Sequence, residues 1–333
     1  MMPRSTIEEV AALAGVSRST VSRVVNGSTA VSPEALSAVQ TAIAQLNYAP
    51  NRAARSLASR QTYAIGLVVP EDTTRFFGDP FLASVVAGIS ARLADSDYIL
   101  NLLIASDDPG GKMVRFVRNG GVDAAIIVSH HTSDSFVGSI ADAVPVVFGG
   151  RRSNAQDSDI IIDVDNVAAA RDAVAHLIAL GRRRIATITG TMTMSVSIDR
   201  RDGFLAALAD AGLEPAGEVD GDFSEQGGAD AAARLLEQPE RPDAIFIASD
   251  LMARGAIGVL RSAGLRVPED VAVIGFDDSA LAAASDLTSV RQPMFHQGEM
   301  LAGMIIDVLA GRRPPPLTIL PTELVVRGSA PAV

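Results

Sequence analysis

The chain has 333 residues, 48% of them hydrophobic, a formal net charge of −11 and no cysteine. That length suits two or three domains, and the lack of thiols excludes disulfides, thiol catalysis and thiolate metal sites. No apolar run is long enough for a membrane helix, and Arg4 is followed at once by Thr6-Ile7-Glu8-Glu9 without the apolar core of an export signal, so a cytoplasmic protein is expected.

Thr6 and Glu9 are spaced as a capping box at the start of a helix that is expected to carry Val10, Ala11 and Leu13 inward. Gly15 tolerates the positive φ of a tight corner, Val16 plugs the space beneath it, and Ser17 caps a second helix from Arg18 to about Asn26. On that helix Val21, Val24 and Val25 form an apolar stripe. The other face pairs Arg18 with Ser22 and Ser19 with Arg23 at i, i+4. Two short capped helices around a glycine corner read as a helix-turn-helix. Arg18, Ser19 and Arg23 are its candidate base readers, because an arginine can grip guanine O6 and N7 with two parallel hydrogen bonds. Thr6, Ser17, Ser22, Asn26 and Ser32 are candidates for helix caps and DNA-backbone contacts. On these residues alone, a plain helical hairpin with solvated arginines stays open as the less favoured alternative.

Ser32, Pro33 and Glu34 begin a third helix, with Leu36, Val39, Ile43 and Leu46 as its expected buried stripe. Residues 47–58 then form a basic stretch too short to be a stable helix alone in water, a candidate for folding on binding.

The chain resembles the LacI/GalR family of bacterial transcription regulators. The resemblance runs essentially end to end. Its most specific parts are Ala11-Ala12-Leu13-Ala14-Gly15-Val16-Ser17, Thr20-Val21-Ser22-Arg23-Val24-Val25-Asn26, Leu46-Asn47-Tyr48-Ala49-Pro50-Asn51 and Ala53-Ala54-Arg55-Ser56-Leu57. It implies a hinge helix in the minor groove, with Asn51, Arg52, Ala54 and Arg55 along it and Leu57 wedged between central base pairs. On the sequence alone Leu57 could instead belong to the core of the next domain, although its neighbours are polar and basic. Charge agrees with a DNA-binding head: residues 1–60 hold six arginines against three glutamates, a balance of +3, leaving −14 for the remainder.

From residue 63 on, short apolar runs alternate with helical patterns. Residues 65–69, 99–104, 124–128, 144–148, 185–188, 244–248 and 271–274 read as buried parallel strands. Phe81-Val85-Ile89-Leu93, Val167-Val174-Leu177-Ile178 and Phe204-Leu205-Leu208 mark helices between them. This is a repeated βαβ chain, with a crossing between halves near Asp165-Asn166. The resemblance turns it into an α/β two-lobed, periplasmic-binding-protein-like domain with parallel sheets. The expected organisation is a helix-turn-helix headpiece over residues 1–50, a hinge helix and linker over 51–61, and an effector and dimerisation domain over 62–333. Within that domain the N-lobe takes about 62–163 and 293–321, and the C-lobe about 164–292 and 322–333.

No G-x-S-x-G elbow, Walker A sequence or G-x-G-x-x-G occurs, and His130, His131, His176 and His296 make no metal constellation. His130-His131 reads as a polar strand-end pair. No enzyme activity, metal or cofactor is expected. Asp277-Asp278 could suggest paired carboxylates, but after a strand one such carboxylate commonly faces a ligand and the other a helix start. By resemblance, Arg200 holds effector hydroxyls, Asp277 accepts hydrogen bonds from the same ligand, and Phe223 covers the apolar face of a sugar, although it could equally be a core residue. Asp79, Arg151 and Gln292 are further candidates for the pocket, as are Ser249 and Asp250, the latter alternatively a helix cap. Two departures from the family pattern are Ser249, where asparagine is common, and Gly150, where aspartate is common. They leave room for a larger, different or anionic ligand such as a phosphorylated sugar.

The expected protein is a homodimeric DNA-binding regulator, a repressor, whose operator affinity is set by a small sugar-like effector. Its partners are double-stranded operator DNA, the effector and a second copy, with no membrane. The sequence after Leu324-Val325-Val326 has no heptad tail, so a dimer rather than a tetramer is expected. The alternative is a solute-binding sensor with no role on DNA.

Overall fold

The computed structural model describes residues 5–25, 30–48, 61–152 and 155–332. It divides into two compact units, Met1–Thr62 and Tyr63–Val333. Asn26 and the hinge candidates Asn51, Arg52, Ala54, Arg55 and Leu57 lie outside the described residues. Among those described, no helix is long and apolar enough to cross a membrane.

The first unit holds α1 (Ile7–Ala14), α2 (Arg18–Val25) and α3 (Pro33–Leu46). Both halves of the capping box form: Thr6 N donates to Glu9 Oε2 at 2.8 Å, and Glu9 N to Thr6 Oγ1 at 3.3 Å. Gly15 turns the corner at φ 64°, Ser17 Oγ accepts from Thr20 N at 3.1 Å, and Ser32 Oγ accepts from Ala35 N at 3.3 Å. Val10, Ala11, Val21, Val39 and Ala42 make the core, with Val16, Val24, Val25 and Ile43 packed against it. Two expectations need correction. Leu13 is 50% and Leu36 39% exposed. The buried stripe of α1 is Ile7, Val10, Ala11 and Ala14, which leaves Leu13 off its edge, and α3 turns Val39, Ala42 and Ile43 inward with Leu36 at the margin.

The second unit contains two sheets. One runs in the order β11-β5-β4-β3-β1-β2, built from β1 (Ala64–Val69), β2 (Ile99–Ile104), β3 (Ala124–Val128), β4 (Val146–Gly149), β5 (Ile160–Val164) and β11 (Leu317–Leu320). The other runs β12-β10-β9-β8-β6-β7, from β6 (Ile185–Thr189), β7 (Gly217–Asp220), β8 (Ala244–Ile247), β9 (Ala272–Asp277), β10 (Thr288–Arg291) and β12 (Glu323–Val325). All pairings are parallel except β10 with β12. β2 corrects one expectation: it is an edge strand, and Ile99 and Leu102 face outward.

Helices cover both faces of each sheet, as a parallel sheet requires. In the first lobe, α5 (Pro80–Leu93) and α13 (Met294–Leu309) pack on one face, and α6 (Lys112–Arg118) and α7 (Ser135–Ala141) on the other. In the second, α10 (Glu225–Leu236) and α11 (Asp250–Ser262) oppose α8 (Asn166–Ala179) and α9 (Ser195–Asp210). The short α4 (Thr73–Gly78) and α12 (Ala280–Ala284) follow β1 and β9. Chain crossings between the lobes follow β5, β10 and β11, so the carboxyl ends of strands from both sheets meet at one cleft.

Candidate functional site

The cleft holds a cavity that encloses about 700 Å³ of space including its open mouth. Strand ends and the first turns of the following helices supply its walls. From the first lobe come Arg75 on α4, Asp79 before α5, Ser129 and His130 after β3, Gly150 and Arg151 after β4, and Asp163 on β5. From the second come Asn166, Met194, Arg200, Phe223, Ser249, Asp277 and Gln292. The structure therefore brings Asp79, Arg151, Arg200, Phe223, Ser249, Asp277 and Gln292 together, as expected from the sequence.

Arg200 is buried, with its guanidinium carbon 3.6 Å from the centre of the Phe276 ring. Its Nε donates to Asn166 Oδ1 at 2.9 Å and its Nη1 to the Ala248 carbonyl at 2.6 Å, with Asp277 Oδ1 at 3.9 Å. Gln292 Nε2 donates to the same Asp277 oxygen at 2.6 Å. Asp79 caps α5 by accepting from Phe81 N at 2.9 Å. Burial raises the pKa values of Asp277, Asp79 and Asp163, most strongly at Asp277, where the Arg200 charge opposes it. Such carboxylates gain from any ligand hydroxyl that donates to them. Phe223 is both core and wall: it packs in the second lobe's interior and lines the cavity, at φ 59°.

Two placements differ from expectation. Asp250 does not line the cavity, and it does not cap α11, since Ser249 Oγ takes that role by accepting from Met252 N at 3.3 Å. The Asp250 carboxylate instead accepts from Ser289 Oγ at 2.6 Å and Ser279 N at 2.7 Å, tying α11 to β10 and to the turn after β9. Asp278, expected at a helix start, is neutralised by Arg291 at 2.7 Å and Arg327 at 2.6 Å. Sequence reasoning missed Arg75, His130, Asp163 and Asn166. Three of them stand at or just past the carboxyl ends of β3 and β5, the position that favours ligand contact in open α/β sheets.

The walls are also joined across the cleft. Thr132 N donates to the Thr193 carbonyl at 2.8 Å, His131 Nδ1 lies 2.7 Å from Thr193 Oγ1, and Arg151 pairs with Asp199. Arg75, held by Glu71 at 3.1 Å, reaches Met194 Sδ at 3.8 Å and lies 5.3 Å from the Phe223 ring centre.

On the first unit, α2 leaves Arg18, Ser19 and Arg23 exposed while Val21 is buried. Arg18 leans on Glu8 at 3.1 Å in a pair open to water, and Ser19 Oγ lies 2.7 Å from Ser17 Oγ. An exposed pair of this kind contributes about 0–1 kcal/mol and yields easily to a phosphate or base edge.

The description "Bacterial regulatory proteins, lacI family" matches residues 6–51, and a periplasmic binding protein-like domain matches residues 174–330. The HTH-type transcriptional regulator CelR of Thermobifida fusca is 41% identical over 339 residues, 98% of this chain and 98% of its own length. The chain belongs to the LacI family of bacterial regulatory proteins. It is, with its family, a DNA-binding transcription regulator. Two solved LacI-family structures share its architecture. A transcriptional regulator CelR–cellobiose complex is 38% identical with a TM-score of 0.77, covering 98% of this chain and 100% of that one. A lac repressor dimer bound to operator and the anti-inducer ONPF is 28% identical with a TM-score of 0.86, covering 99% and 100%.

Proposed function

We propose that this regulator is a homodimeric, cytoplasmic repressor whose operator affinity is set by an uncharged or weakly charged sugar bound in the cleft. Its proposed domains are a headpiece over 1–50, a hinge over 51–61 and a two-lobed receptor over 62–333. In the headpiece Arg18, Ser19 and Arg23 read bases, and the helix starts at Thr6, Ser17 and Ser32, with Ser22 beside them, meet phosphates. In the receptor Asp79, Arg151, Arg200, Phe223, Ser249, Asp277 and Gln292 hold the effector. Cellobiose in the CelR complex and operator DNA under the lac repressor dimer support this reading.

One observation carries the effector half: Asp277 and Asp79, both raised in pKa by burial, face a cavity shared with the Phe223 ring and the Arg200 guanidinium. Carboxylates accept paired hydroxyls, and an aromatic ring covers the C–H face of a pyranose. The test is a gel-shift titration on DNA upstream of the chain's own coding region, with and without a sugar panel. Specific retardation altered by one sugar is expected; sugar binding with no DNA binding at all would return the solute-sensor reading.

A further inference from the structure

His130 is 7% exposed and lines the cavity. Its Nε2 lies 3.2 Å from the Gly150 carbonyl oxygen, a group that can only accept, so Nε2 carries the hydrogen. In a neutral ring Nδ1 then holds a bare lone pair, and no donor reaches it among the described residues. The Phe148 ring stands edge-on to the imidazole at 5.9 Å and fixes its plane. Burial keeps the ring neutral by lowering its pKa, opposed by the Gly150 carbonyl; His131 and Arg152 lower it further and Asp159 raises it.

Charge around the same cavity leaves no guanidinium without a carboxylate. Each lining guanidinium has a carboxylate for its charge, Arg75 in Glu71, Arg151 in Asp199 and Arg200 in Asp277, while the buried Arg75 Nε has no hydrogen-bond partner among the described residues. Asp79 and Asp163 line the cavity with no guanidinium in ion-pair distance among the described residues. The lining itself holds three carboxylates and three guanidiniums, but Glu71 and Asp199 behind it already pair with two of those guanidiniums, so an added phosphate would find no uncompensated guanidinium charge.

We infer that His130 is a specificity-determining residue of this site. Locked as the Nε2–H tautomer by the Gly150 carbonyl, it offers Nδ1 to a hydroxyl of an uncharged sugar, and the cavity rejects phosphorylated sugars. The inference rests on the cleft being a sugar receptor. It also answers the departure at Gly150, since Asp163 and His130 supply the acceptors that a glycine cannot.

The test is calorimetry on the full chain with cellobiose, maltose, glucose and glucose 6-phosphate, then with the His130→Phe and His130→Gln variants. At least one uncharged sugar is expected to bind, with glucose 6-phosphate at least tenfold weaker than glucose. His130→Phe keeps a flat ring but no acceptor and lowers affinity for the bound sugar about tenfold. His130→Gln can donate to Gly150 and still accept, so it retains most of the affinity. Because burial holds the His130 pKa below the ordinary imidazole range, wild-type affinity falls only at acid pH below that range, as His130 protonates. Part of that slope disappears in both variants; the remainder belongs to Asp79, Asp163 and Asp277. Tighter binding of the phosphate, or unchanged affinity in His130→Phe, overturns this inference while leaving the receptor intact. Binding of none of the four sugars overturns the receptor reading on which it rests.

Discussion

Arg23 and Asp250 mark two kinds of residue with opposite needs. Arg23 is exposed on α2 and has no hydrogen bond or ion pair among the described residues, so its guanidinium is available for a base edge. Arg23→Ala is expected to weaken operator binding by about 1–3 kcal/mol and random-DNA binding far less, measured by competition gel shift. Equal losses on both would reduce Arg23 to a phosphate contact. Asp250 is 1% exposed, and burial, reinforced by the Asp278 charge, pushes its pKa up to about 6 despite hydrogen bonds from Ser289 and Ser279. The folded chain therefore holds this proton more tightly than the unfolded chain does. Stability contributed by that proton is fully present in acid and is lost as the pH rises through about 6. Asp250→Asn, which keeps an acceptor for Ser279 N, is expected to melt higher than wild type in mildly alkaline buffer, the gap closing on acidification. Asp250→Ala leaves that N–H unpaired and melts lower at every pH. Sequence pointed to Arg200 and Asp277 through the family resemblance of the segments that carry them. It misplaced Asp250 because its partners, Ser279 and Ser289, come from segments far along the chain.

Helix α11 tests how tightly its neighbours close on it. A Cβ on Gly255 would stand 2.0 Å from the Glu225 carbonyl oxygen of α10, while one on Gly258, three residues on, meets nothing within 4 Å. Gly255→Ala must push α10 away and is expected to cost about 1–3 kcal/mol. Gly258→Ala, at an exposed position inside the helix, removes backbone freedom from the unfolded chain and is expected to add about 0.5–1 kcal/mol. Urea melts of the two variants check both signs; destabilisation by both would mean that backbone contact is not what separates them. Elements whose signals are local were legible: the capping box of α1, the Gly15 corner and the Ser32-Pro33 start of α3. Strands β7 and β10 were not, because Gly-Glu-Val-Asp and Thr-Ser-Val-Arg carry no apolar run, and pairing with β6 and β9 defines them. β2 looked buried from its apolar run, yet nothing in a run of Ile and Leu tells an edge from a centre.

Alternation of strands and helices made a repeated βαβ chain in two halves legible, the family resemblance turned it into a two-lobed receptor, and the Asp165-Asn166 crossing lies between the last central strand of one sheet and the first helix over the other. What the sequence could not show is how the lobes hold each other, since those contacts join residues 48 or more positions apart. The Arg151–Asp199 pair is half exposed on the arginine side and contributes about 0–1 kcal/mol. The Thr193 backbone and hydroxyl bonds to Thr132 and His131 add roughly 0.5–1.5 kcal/mol each. Together they equal the few kcal/mol typical of allosteric coupling, so the lobes are held together weakly enough for a ligand to shift them. Asp199→Asn combined with Thr193→Val removes the pair and the hydroxyl bond while leaving the Thr132 backbone bond. The ligand-free double variant is expected to open, raising its radius of gyration in small-angle scattering. Sugar must then supply the missing closure free energy, so affinity falls about three- to thirtyfold while saturating sugar restores the wild-type scattering curve. Unchanged scattering together with unchanged affinity would mean that these contacts follow closure without helping to set it.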